Sequence, residues 1–142
     1  MPGVNQSSNH FFFEKDRKAS FQSWPFSERQ NCSITKMAQA GFYYAGSSTD
    51  DDTAACFLCG KVLDGWESTD DPWSEHKKHS PQCAFVKLGR PEDDTTVGEQ
   101  LDLLDLYVQK VFDKKLDEAK KVLTELGSKA RAVIQAKLKS ND

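Results

Sequence analysis

Long apolar runs are missing from this 142-residue chain, and no stretch approaches the ~20 apolar residues a membrane-spanning helix needs. The opening, MPGVNQSSNHFFFEKDRK, has neither the basic start nor the apolar core of a secretory signal, which leads us to expect a reducing compartment. Cysteines are few, four in all, and in such a compartment disulfides explain them poorly. An excess of positive charge is missing too. The net charge is −3, and residues 50–93 hold ten acidic against five basic side chains. A nucleic-acid reader is expected to show a basic stripe on its compact domain. An acidic segment favours a basic partner instead.

Aromatics and turn formers crowd residues 10–90: FFF at 11–13, WPF at 24–26, GFYYAG at 41–46. The pattern predicts a helix over Lys15–Ser23 stopped by Pro25, and a second over Ile34–Ala40 stopped by Gly41. Short strands are expected near Phe42–Tyr44, Ala55–Phe57 and Lys61–Leu63. A helix over Pro72–His79 follows, with Pro72 accepted in its first turn. Gly89-Arg-Pro-Glu-Asp-Asp94 reads as a linker. The division is a domain over 10–90, a linker over 91–95 and a long helix over 96–139.

Beyond the linker there is no Cys, Pro, Trp or His. Leu101, Leu104, Val108, Phe112, Leu116, Ala119, Leu123, Leu126, Ala130 and Val133 recur at steps of three and four. That is a heptad-like stripe with one stutter near Phe112. A helix from Thr96 to Leu138 would be roughly 65 Å long, more than a domain of this size can cover. The stripe is therefore read as a surface for partner helices, with Leu101, Leu104, Val108, Phe112, Leu116, Leu123 and Leu126 as its contacts. Gly127 is its weak point.

Cys56-x2-Cys59-x16-His76-x6-Cys83 offers four soft or borderline ligands. Tetrahedral Cys/His coordination suits Zn²⁺, and four protein ligands leave no open position for an activated water, so the ion is structural. A redox C-x-x-C would need a βαβ surrounding that is not evident. A Cys/His nucleophilic pair would compete with metal for the same thiolates. Cys32 lies outside the spacing and reads as a small buried hydrophobe. His10 has no evident role. His79, three residues after His76, is not needed for the metal.

The motifs R17-x-x-S-F21-x-x-W24-P25, A40-G-F42-Y-Y, C56-F-L-C59-G, L63-D-G-W66, D70-D71-P72-W73-x-E75-H76 and C83-A-F85-V resemble the baculovirus IAP repeat (BIR). One repeat followed by a long helix, with no RING or CARD segment, is similar to the survivin-type branch of that family. The resemblance implies an α+β fold: a small zinc-binding BIR domain, with a three-stranded antiparallel sheet and short helices, followed by one long C-terminal α-helix. It implies one structural Zn²⁺ and no enzymatic activity.

The resemblance also implies a peptide groove. A free N-terminal alanine would add along the strand edge at Lys61, Leu63 and Asp64, with Trp66 walling its pocket and Asp70 taking the α-ammonium. Lys61 and His79 occupy the positions that hold a phosphothreonine in the mitotic histone tail beginning A-R-T. A phosphate brings about −1.5 to −2 charges, and a histidine can become its counter-cation. Asp64, Glu67, Asp70 and Asp71 would form an acidic cleft for the basic tail.

The partners implied are a phosphorylated histone tail, borealin-like and INCENP-like scaffolds on the helix and, indirectly, an Aurora-type kinase, with a homodimer left open. Neither membrane nor direct nucleic-acid binding is expected. The implied localisation is nucleus and cytoplasm, with centromere or kinetochore, spindle midzone and midbody during division. The runner-up is an apoptosis inhibitor that binds caspases or A-V-P-I-type antagonists in the same groove. Four positions depart from the branch's pattern: Thr69 replaces an acid, Ser33-Ile34 replaces Thr-Pro, and Gln100 replaces a phenylalanine.

Overall fold

The computed structural model describes residues 10–141. Its elements are α1 (Glu14–Ser20), α2 (Ile34–Gln39), β1 (Phe42–Tyr44), β2 (Ala54–Cys56), β3 (Val62–Leu63), α3 (Pro72–His79), α4 (Ala84–Leu88), a 3₁₀ turn (Glu92–Asp94) and α5 (Val97–Ser140). The strands form one antiparallel sheet in the order β1-β2-β3, with Phe42 opposite Cys56 and Ala54 opposite Leu63. The chain divides into two units, Met1–Tyr107 and Val108–Asp142.

The first unit is built on aromatic rings and one buried cation. Phe12, Phe21, Trp24, Phe42, Phe57, Trp66 and Phe85 are buried, together with Met37 and Cys32. The expected small-hydrophobe role of Cys32 holds: it is fully buried, with its thiol donating to the Glu67 carbonyl at 3.2 Å. Arg17 is 1% exposed. Its Nε donates to the Ala38 carbonyl (2.9 Å) and its Nη1 to those of Phe12 (2.6 Å) and Phe11 (3.1 Å), while the guanidinium lies 4.5 Å from the Phe57 ring centroid. Burial pulls its pKa down to about 10, still far above neutrality, so the cation persists and ties the N-terminal segment to α2.

α1 is shorter at its end than Lys15–Ser23. Ser20 folds its hydroxyl back onto the Arg17 carbonyl (2.5 Å) and accepts the Tyr44 amide (2.9 Å), which turns Phe21 and Trp24 into the core. Its start is capped from far away, by the Glu92 carboxylate accepting the Glu14 amide at 2.7 Å. α4 is absent from the sequence expectations. It spans only five residues and ends at Gly89 in the left-handed region (φ 67°), a C-terminal stop that glycine adopts without strain.

The predicted linker is partly structured. Beyond the Glu92–Asp94 turn, Thr96 and Glu99 form a reciprocal cap at the start of α5, and Arg90 pairs with Glu99. The opening turns of α5 belong to the first unit. Leu103 is 5% exposed and Tyr107 packs on Phe12 and Phe57. Neither lies on the predicted stripe. The stripe residues Leu101, Leu104, Val108, Phe112, Leu116, Leu123 and Leu126 are all exposed. The second unit is the remainder of α5, one uninterrupted helix that passes through Gly127.

Candidate metal centre and peptide groove

Cys56 ends β2, Cys59 follows on the turn, His76 faces inward from α3 and Cys83 caps α4. Three of the four are buried and their ligand atoms lie within 4.8 Å of one another. A tetrahedral ion bonded to sulfur at about 2.3 Å and to nitrogen at about 2.0–2.1 Å implies S···S edges of about 3.8 Å and S···N edges of about 3.6 Å. The Cys56–Cys83 sulfurs are 4.0 Å apart, and Cys59 Sγ lies 3.6 Å from His76 Nε2. These two edges match those of a tetrahedral zinc site, and the Cys₃His donor set suits that ion.

The surrounding groups orient these ligands. His76 Nδ1 lies 2.8 Å from the Ala40 carbonyl, to which its N–H donates, and this leaves Nε2 free for the metal. Backbone amides of Leu58 (3.3 Å) and Cys59 (3.5 Å) donate to Cys56 Sγ, as they would to a thiolate. Gly41 makes room for this packing. Its φ is 94°, and a Cβ there would meet Phe85 at 2.9 Å.

Electrostatics show what the cluster lacks without a cation. Burial, with the neighbouring sulfurs, pushes the Cys56 thiol far up. Hydrogen bonds from Cys56 and Cys83 hold Cys59 far below the usual thiol range. Burial opposes a charge on His76, but its bonds to Cys59, Cys83 and the Ala40 carbonyl outweigh it and raise the imidazole to about 9. A bound divalent cation would take the place of the protons on Cys56 and His76.

A second site runs along β3. Lys61, Val62, Leu63, Asp64, Gly65, Trp66, Asp70, Glu75 and His79 line one groove of about 220 Å³. All six predicted peptide-binding residues therefore come together. β3 is an edge strand, and among the described residues its outer side has no partner strand. Gly65, at φ 69°, turns the chain from β3 into Trp66, whose amide is held by Asp52 Oδ2 (3.2 Å) and whose indole donates to the Leu63 carbonyl (3.3 Å). Trp66 is 7% exposed, set against Phe42 and Trp24.

Asp70 Oδ2 accepts the Glu67 amide (2.8 Å), which fixes the loop and aims the carboxylate. His79 Nε2 lies 3.3 Å from Glu75 Oε2, one helical turn back. The acidic cleft differs from the sequence reading. Asp71 is used as the α3 cap, accepting the Ser74 amide at 2.8 Å, and neither it nor Glu67 lines the groove. Glu75 does, and sequence reading missed it. The i,i+4 spacing to His79 was the available signal.

The zinc-type centre, the three-stranded sheet and the edge groove define the chain's class, and the chain belongs to the BIR family. The family model described as "BIR: Inhibitor of Apoptosis domain" matches residues 17–87. The survivin-type resemblance also stands. The chain is 36% identical to mouse Baculoviral IAP repeat-containing protein 5 over 87% of its own length and 89% of that protein's. It is 44% identical to Xenopus tropicalis Baculoviral IAP repeat-containing protein 5.2, over 61% of this chain and 56% of the relative. Among solved structures it resembles an autoinhibited dIAP1-BIR1 domain (TM-score 0.50, 29% identity), over 70% of this chain and 90% of that one.

Proposed function

We propose that this protein is a non-enzymatic chromosomal passenger subunit. Its BIR domain reads a histone tail beginning A-R-T with its threonine phosphorylated, and α5 binds borealin-like and INCENP-like scaffolds. That assembly would bring an Aurora-type kinase to centromeres, and later to the spindle midzone and midbody. The observation that supports it best is the groove, which lines one strand edge with two kinds of group. Trp66, Asp64 and Asp70 suit a small side chain and a cationic N-terminus. Lys61 and His79 suit an anion.

The peptide would add to β3 as a further strand through main-chain hydrogen bonds. A phosphate arriving near His79 would compete with Glu75 for the imidazole, which now lies 3.3 Å from the Glu75 carboxylate. Leu63 and Val62 would present the backbone, with Val62 55% exposed and pointing away from the core. Closed Cys₃His coordination keeps zinc out of any chemistry. The exposed stripe of α5 supports the scaffold half of the reading.

Calorimetric binding of the zinc-loaded protein to A-R-T-K-Q-T, to its first-threonine phosphorylated form and to A-V-P-I tests the groove. The phosphopeptide should bind tightest, and His79→Ala should abolish the phosphate preference. Tightest binding of A-V-P-I, indifferent to His79, would replace this reading with apoptosis control.

A further inference from the structure

The apolar stripe of α5 changes its charge part-way along. From Val108 to Leu126 the helix carries five basic and four acidic side chains. From Gly127 to Asn141 it carries Lys129, Arg131, Lys137 and Lys139 and no acid. All four are exposed, and among the described residues none is in an ion pair. The stripe nevertheless continues through this stretch. Leu126, Ala130 and Val133 follow at steps of four and three, and the next step of four lands on Lys137. Ile134 and Leu138 broaden the apolar face, 58% and 65% exposed.

A lysine inside a helix–helix seam loses water on assembly and needs an opposing carboxylate. Such a residue fixes partner and register at some loss of stability. Three other occupants fit less well. A parallel second copy would set Lys137 against Lys137. Nucleic acid favours a basic stripe on one face, but at about 100° per residue these four cations point to the seam, both flanks and the back. A membrane surface favours an uninterrupted apolar face with aromatic residues, whereas residues 113–141 contain no aromatic and Lys137 interrupts the face.

We propose that residues 127–141 dock an acidic protein helix whose seam places a glutamate or aspartate against Lys137. The proposal rests on the reading of α5 as a scaffold-binding helix, and adds the sign of the partner and the residue that sets its register.

The test uses the full zinc-loaded chain and three four-heptad peptides with one Leu/Ile seam. They differ at one seam position and its flanks, which carry Glu, Gln or Lys. Fluorescence anisotropy should rank them Glu, Gln, Lys, with about tenfold or more between Glu and Lys and a gap that shrinks in salt. Lys137→Glu should reverse the Glu–Lys order, and Lys137→Leu should narrow the gap while improving Gln-peptide binding. Circular dichroism confirms that both variants stay helical. Equal binding of all three peptides overturns the proposal and leaves the scaffold reading standing. Binding of none overturns both. Tighter binding of duplex DNA or of phosphatidylserine vesicles than of the Glu peptide overturns the choice of partner.

Discussion

The two units solve the same problem in opposite ways. In the first, Phe12, Phe21, Trp24, Phe42, Phe57, Trp66 and Phe85 are buried, and a four-ligand centre, a buried arginine and aromatic edges hold them together. In the second, Phe112, Leu116, Leu123, Leu126, Val133 and Ile134 are all exposed. The first unit contains its own reasons for folding. The second is a helix whose stability must come from tertiary or quaternary packing. A small domain stabilised from within can present a groove of fixed shape, whereas an uncovered stripe gains order by association.

Metal removal should break the contrast most completely. Chelation, or Cys83→Ser, should abolish cooperative unfolding of the first unit, since a structural zinc contributes roughly 10–16 kcal/mol. Tryptophan fluorescence and near-UV dichroism should report the collapse. The pH dependence has a definite sign: zinc displaces protons from the Cys56 thiol, which burial pushes up, and from His76, which is raised to about 9. Affinity should therefore rise with pH and fall on acidification, by up to about tenfold per unit for each proton exchanged. Competition with a chromophoric chelator at several pH values measures that slope.

Arg17→Met should come next, at about 3 kcal/mol in urea unfolding, because three carbonyls lose their donor in a buried site. Leu103→Ala should lose about 2–4 kcal/mol. Leu126→Ala, on the same helix, should leave the isolated protein within about 0.5 kcal/mol of wild type, while weakening a helical partner about tenfold. That pair measures the contrast directly. Gly127→Ala should be the one change that stabilises. The added methyl meets only Arg131 at 3.7 Å, and the helix should gain about 1 kcal/mol, read as a higher melting point of α5 by far-UV dichroism.

What was legible in the sequence was what is local. The C-x2-C knuckle, the Asp-Pro opening of α3, the strand of Phe42–Tyr44 and the three-four recurrence of α5 each lie within a few residues of their cause. The groove residues were legible through resemblance, because they lie on two segments that the motif already joins. What escaped depends on distant partners. Glu92 capping α1 spans 78 residues, and no pattern in either segment announces it. Leu103 and Tyr107 were passed over because the stripe beside them is more regular, yet they face the core and the stripe does not. Asp71 looked like a ligand for a basic tail when considered as a charge, but its position before Pro72 makes it a helix cap.

The packing of Tyr107 on Phe12 and Phe57 has a mechanical consequence. Phe57 directly follows the metal ligand Cys56, and Phe12 belongs to the segment that Arg17 anchors. Tension applied through the opening turns of α5 would enter the domain at these rings and be borne within one residue of the metal centre. Coordinate bonds resist extension far better than a sheet of three short strands. Load entering through α5 would thus be carried by the stiffest part of the domain.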